Sequence, residues 1–177
     1  MVDVRQAVEL DELPREAFVE AVAPLFEGAP RFLGRLADAR PFGSMDRLFQ
    51  VARSIAHSMP EAEQIELVDA HPPLGAPPGT VSVASFREQG YDPIASPADL
   101  DLDLAAELAR LNDAYERRFG FRYCTFVAGR SRAELIPEFE AALAAERSSE
   151  LHRAVDAVID IACDRHAKSN ATEEHRA

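Results

Sequence analysis

Residues 100–121 read LDLDLAAELARLNDAYERRFGF, and this stretch decides the fold class. Leu104, Leu108, Leu111 and Tyr115 recur at three- and four-residue steps, the period of one helix face, and Gly120 stands where a left-handed residue can end the helix. The same period extends in both directions. Upstream, Pro14 opens a helix with Phe18, Val22, Leu25 and Phe26 on one face, which Pro24 and Gly28 end or bend. A short helix follows around residues 31–39; Ser44 caps another carrying Leu48, Val51, Ala52 and Ile55, and Pro60 opens one that leads to His71. Downstream, residues 121–127 form the one strand-like run. A lone strand cannot satisfy its backbone, so this run reads as a buried extended connector. Ser131 caps a helix with Leu135, Ile136, Phe139 and Leu143 inward, and a last helix spans about 149–166. The expectation is an all-α fold: a single domain of about eight helices over residues 1–168, with a polar tail over 169–177.

Composition excludes several functions. Among 177 residues, 19 Lys and Arg face 31 Asp and Glu, for a net charge of −12. A field of that sign repels phosphate backbones, which argues against nucleic acid but not against a small anion held by a local arginine. Apolar runs are too short for a membrane span, and the N-terminus lacks the order of a secretory signal. Cys124 and Cys163 stand far apart, which suits a reducing cytoplasm. No three residues show metal-ligand spacing, so no zinc site is expected, and His57, His152, His166 and His175 receive no role.

Chemistry is expected where irregular backbone meets helix ends. From Pro72 to Val83 the chain holds Pro72, Pro73, Pro77, Pro78, Gly75 and Gly79, a stiff turning loop. His71 ends a helix before it, with its backbone restricted by Pro72. It is either a proton carrier or a helix-terminal histidine serving the last carbonyls. After the loop, Ser82 or Ser85 caps a short helix, and Ser85 and Glu88 have capping-box spacing. Glu88 beside His71 would raise its pKa and fix its tautomer, while Gln89 offers both donor and acceptor. A second loop runs from Gly90 through Asp92 and Pro93 to Pro97. Arg117 and Arg118 suit the negative end of the long helix, and one of them can grip a substrate carboxylate. Asn112 can brace a loop.

Three blocks in order, Asp69-Ala70-His71-Pro72-Pro73-Leu74-Gly75, Ser85-Phe86-Arg87-Glu88-Gln89, and Leu111-Asn112 through Arg118-Phe119-Gly120-Phe121, resemble the 2-oxo-4-hydroxy-4-carboxy-5-ureidoimidazoline (OHCU) decarboxylase family. Its patterns are HPxLG, SxxEQ and LNxxYxxRFGF. Phe18-Val19, Leu25-Phe26-Glu27 and Ala39-Arg40-Pro41-Phe42 extend the likeness over about residues 10–165. The resemblance implies a helical, cofactor-free, cytoplasmic homodimer of urate breakdown that forms (S)-allantoin and carbon dioxide, working with separate urate oxidase and hydroxyisourate hydrolase. It implies His71 and Glu88 as catalytic residues, with Pro72, Ser85, Gln89 and Arg118 around a small anionic substrate. The chain departs from the pattern at Gly75-Ala76-Pro77-Pro78, where a basic residue and a longer loop are usual. It departs again at Gly90-Tyr91-Asp92, and at Arg122, where the family prefers proline. These changes leave room for a different ureido or imidazolone acid, or for a silent ligand-binding relative.

Overall fold

The computed structural model describes residues 2–91 and 101–174 and is built of helices. The expected loop residues Asp92, Pro93 and Pro97, and His175, lie outside the described residues. In chain order the helices are α1 (Val2–Asp11), α2 (Arg15–Val22), α3 (Pro30–Asp38), α4 (Met45–Ser58), α5 (Glu61–Asp69), α6 (Val83–Glu88), α7 (Leu102–Phe119), α8 (Arg132–Ala142) and α9 (Arg147–Glu174), with single 3₁₀ turns at Ala23–Leu25 and Pro78–Thr80. Nine helices among the described residues compare with about eight expected. The added one is α1, whose short apolar pattern is weak alone. It gains its place by burying Ala7 and by the Asp11 carboxylate, whose Oδ2 accepts from the N–H groups of Phe42 and Gly43 at 2.8 Å each.

Local signals in the sequence set most helix ends. Ser44 Oγ accepts from the Arg47 N–H, Asp101 Oδ1 accepts from the Leu104 N–H, and Gly120 closes α7 at φ +79°. Pro24 splits the first expected helix: α2 stops at Val22, a 3₁₀ turn follows, and Glu27 (φ +52°) with Gly28 (φ +82°) reverses the chain. The last helix continues well past His166, to Glu174.

Helix α9 is the central post. It packs against α4, α5 and the 3₁₀ turn at Ala23–Leu25, while α7 packs on α8 and α3 on α2, α4 and α5. Leu151, Ala154, Val155, Val158, Ile159 and Ala162 form its buried stripe. At the other end, Tyr115 of α7 is an aromatic hub, with ring centroids of Phe119, Phe121, Tyr123 and Phe139 at 4.5, 5.7, 5.2 and 5.8 Å. Its hydroxyl donates to Glu150 Oε2 at 2.8 Å, and Arg153 neutralises that buried carboxylate. Among the described residues no helix is long and apolar enough to cross a membrane.

The run at 121–127 is extended and pairs with no strand among the described residues. Side chains satisfy its backbone instead. The Arg122 N–H donates to Asp69 Oδ1, Arg153 Nη1 donates to the Cys124 carbonyl at 2.9 Å, and Arg130 Nη2 donates to that of Phe126 at 2.7 Å. Beyond it, Ser131 and Glu134 form a two-way capping box at the start of α8, with Glu134 Oε2 2.7 Å from the Ser131 N–H. Ser131→Ala is expected to lower stability by about 1 kcal/mol, read as a lower urea midpoint at unchanged slope.

Candidate active site

Two segments that the sequence holds apart face one cleft: the loop after α5, and the extended run before α8. The cleft holds about 50 Å³ that the centre of a water-sized sphere can occupy, and it is partly open to solvent. His71, Pro72, Ser85, Glu88 and Gln89 all line it. The backbone from Tyr123 to Gly129 forms the opposite wall, with Leu74, Phe126, Val127 and Ile161 as apolar lining.

The loop is held rigid from four sides. Gln89 Oε1 accepts from the Gly75 N–H at 2.7 Å, and its Nε2 donates to the Pro73 carbonyl at 3.2 Å. Asn112 Nδ2 donates to the Leu74 carbonyl at 2.9 Å, fulfilling its expected bracing role. The Tyr91 hydroxyl donates to the Ala76 carbonyl at 2.5 Å, and Arg122 Nη1 donates to the carbonyls of Asp69 and His71 at 2.6 and 3.3 Å. Ala76, Tyr91 and Arg122, the positions that depart from the sequence pattern, therefore brace the loop. Gly75 is required twice over: its φ is +82°, and a Cβ there would lie 2.8 Å from Leu108 Cδ1.

His71 is 4% exposed. Its Nδ1 lies 3.4 Å from the Leu67 carbonyl, a long contact that assigns the ring proton to Nδ1. That leaves Nε2 as the acceptor, and it is buried with no hydrogen-bond partner among the described residues. Burial first, then the positive charge of Arg165, pushes the imidazole pKa down to about 4. This corrects the expected rise: Glu88 does not serve His71, because Arg165 takes its carboxylate. Arg165 Nε donates to Glu88 Oε1 at 2.6 Å and Nη2 to Oε2 at 2.8 Å, a two-pronged pair.

Arg165 is the residue that sequence reasoning missed. Its Nη2 also reaches Glu27 Oε1 at 2.8 Å and Ser85 Oγ at 3.2 Å, and its Nη1 donates to the Pro24 carbonyl at 2.8 Å. Burial works against the charged form, but the Glu88 and Glu27 carboxylates outweigh it and hold the guanidinium protonated. For Glu27, burial is again outweighed, by hydrogen bonds from Ser82, Ser85 and Arg165, so its pKa is lowered. Ser82 caps α6, while Ser85 lies within the helix and spends its hydroxyl on Glu27 Oε1 at 2.7 Å, so the Ser85–Glu88 capping box does not form. Glu27, Ser85 and Glu88 belonged to matched sequence blocks, the signals that pointed to this cluster. Arg165, on a helix read only for its apolar stripe, left none.

Arg118 does not enter the cleft. It is exposed, donates to the Ala145 carbonyl at 3.3 Å and lies over the Phe119 ring. Cys124 lines the wall as a neutral thiol, its pKa pushed up to about 12 by burial.

A family model described as OHCU decarboxylase matches residues 11–167. A 2-oxo-4-hydroxy-4-carboxy-5-ureidoimidazoline decarboxylase of Halalkalicoccus jeotgali is 30% identical over 157 residues, covering 87% of this chain and 85% of that protein. The uric acid degradation bifunctional protein PucL of Bacillus subtilis is 28% identical over 87% of this chain, which spans 30% of that longer protein. In fold, the chain is similar to the crystal structure of an OHCU decarboxylase in the presence of (S)-allantoin, with a TM-score of 0.62 at 23% identity, covering 80% of this chain and 91% of that one.

The low imidazole pKa has a consequence for stability. The folded imidazole accepts a proton only near pH 4, whereas an unfolded one does so near 6.5. Its stabilising contribution is complete above 6.5 and is lost as pH falls toward 4. The advantage of the parent over His71→Asn in unfolding free energy is expected to shrink by roughly 2–3 kcal/mol between pH 7 and pH 4.5. Urea titrations of both proteins at the two pH values measure it; equal losses in both would contradict a buried neutral imidazole.

Proposed function

We propose that this chain, which belongs to the OHCU decarboxylase family, is a carbon–carbon lyase that converts 2-oxo-4-hydroxy-4-carboxy-5-ureidoimidazoline to (S)-allantoin and carbon dioxide. The observation that carries the reading is the position of His71 on the cleft wall, its buried Nε2 without a hydrogen-bond partner among the described residues.

The substrate supplies its own electron sink. When the bond from the ring carbon to the carboxylate breaks, its electron pair forms a C=C bond to the ureido-bearing carbon. The adjacent C=N pair moves onto nitrogen, which takes a proton. The resulting enol then loses its hydroxyl proton and gains one at the ureido-bearing carbon, which becomes the stereocentre. His71 Nε2 fits both transfers: it is a neutral acceptor at physiological pH and can return the proton from one side of the ring only. Arg165 is a positioning residue that holds Glu88 at the cleft. The cleft lining carries Lys168, paired with Asp164 at 2.6 Å, and no arginine, so a carboxylate laid against Leu74, Val127 and Ile161 escapes a two-pronged grip before neutral carbon dioxide leaves. Chemistry of this kind needs orientation and proton control rather than a cofactor. The reading extends to a cytoplasmic homodimer acting beside separate urate oxidase and hydroxyisourate hydrolase.

The test generates the unstable substrate in place with those two enzymes and follows (S)-allantoin by circular dichroism. Enantiospecific product is expected to form faster than by spontaneous decay, and His71→Asn is expected to lower the rate by about 10²–10⁴-fold while remaining folded. An active His71→Asn variant would remove the residue from its role. No acceleration by the folded parent chain would direct attention to another ureido or imidazolone acid, with the loop at 75–79 and Tyr91 as the elements that select it.

A further inference from the structure

We propose that His57, His152 and Asp156 bind one divalent transition-metal cation of the zinc class, clamping α4 to α9. The site lies apart from the His71 cleft. His57 comes from the last turn of α4; His152 and Asp156 stand one turn apart on α9. One donor atom from each residue lies within 4.8 Å of the others. The two imidazole rings stack with centroids 4.0 Å apart, so ligation requires the exposed His152 ring to turn until both in-plane lone pairs meet the ion.

The two imidazole–carboxylate separations bracket the spacing of two ligands on one ion. Asp156 Oδ2 is 3.6 Å from His152 Nε2, too far for a hydrogen bond. Two ligands on one tetrahedral zinc, each about 2 Å from the ion, stand roughly 3.3 Å apart. Asp156 Oδ1 accepts from His57 Nε2 at 2.8 Å, and cation binding would replace that bond. The carboxylate is already oriented from outside the donor set. Arg53 Nη1 donates to Oδ1 at 2.6 Å, and its Nη2 donates to Asp160 Oδ1 at 2.6 Å, the kind of outer support that fixes a ligating carboxylate. Two imidazoles and one carboxylate select zinc-class ions over magnesium, which prefers oxygen ligands. Side-chain exposure of 67% at His152 and 23% at His57 gives an ion a way in, with water as the remaining ligand. A net charge of −12 draws cations to the surface.

The test uses the full chain, stripped by a chelator and titrated with zinc chloride by calorimetry and by thermal unfolding. One equivalent is expected to bind, and the melting temperature to rise by roughly 5 °C when free zinc is about a hundred times Kd. Magnesium is expected to have no effect, and cobalt to develop visible absorption. His152→Ala changes an exposed side chain and is expected to leave the metal-free melting temperature unchanged. It should weaken zinc binding by about tenfold or more and remove the shift. His57→Gln is expected to do the same to binding. Failure to saturate at one equivalent would overturn the proposal, as would undiminished affinity in His152→Ala, the signature of an adventitious ion only.

Discussion

A buried guanidinium cannot stand without partners, and Arg165 draws the rest of the site around that requirement. Its side chain is 6% exposed, in a setting where an unpaired charge costs several kcal/mol. Two carboxylates, a hydroxyl and a backbone carbonyl meet it, from the turn after α2 and from α6, segments 138 and 77 residues away in the chain. Because α9 is one continuous helix, anchoring those segments to Arg165 also fixes their height along the core. Glu88 and Ser85, which read as direct partners of chemistry, are thus held first by this charge.

Burial sets the state of His71, and the Arg165 charge adds to it against Glu27. A positive charge beside a desolvated imidazole favours its neutral form, and the contact from Nδ1 to Leu67 settles which nitrogen keeps a lone pair. Rigidity comes from a different set of bonds. Gln89, Asn112, Tyr91 and Arg122 each attach to backbone atoms of the loop after α5, so the imidazole is carried on a segment with little freedom to move. The reaction proposed above, whose substrate holds its own electron sink, would ask for little more than such a fixed, neutral imidazole and a wall that lets carbon dioxide depart.

Much of this was legible before folding. The stripes at Leu104–Tyr115 and Leu151–Ala162, the caps at Ser44 and Ser131, the stop at Gly120 and the rigid proline loop all follow from nearest-neighbour chemistry. The pairing of charges did not. Arg118 and Arg165 look alike in sequence, each near a helix end or on a helix face with an acceptable surface role. Only packing decides that the first meets solvent and the second lies between Glu27 and Glu88. Likewise, His57 and Asp156 are 99 positions apart and show no ligand spacing, yet α4 and α9 bring them to 2.8 Å.

The sequence by itself determined the helical class, the ends of most helices, the stiffness of the loop after His71 and the identity of the residues along it. These depend on backbone preferences and side-chain periodicities that act over a few residues. Tertiary structure alone decided which carboxylate meets which cation, that His71 is neutral, that the run at 121–127 is a cleft wall, and that two histidines stack across α4 and α9. Each of these is a contact between distant segments, and its energy exists only once the core has set the distance between them.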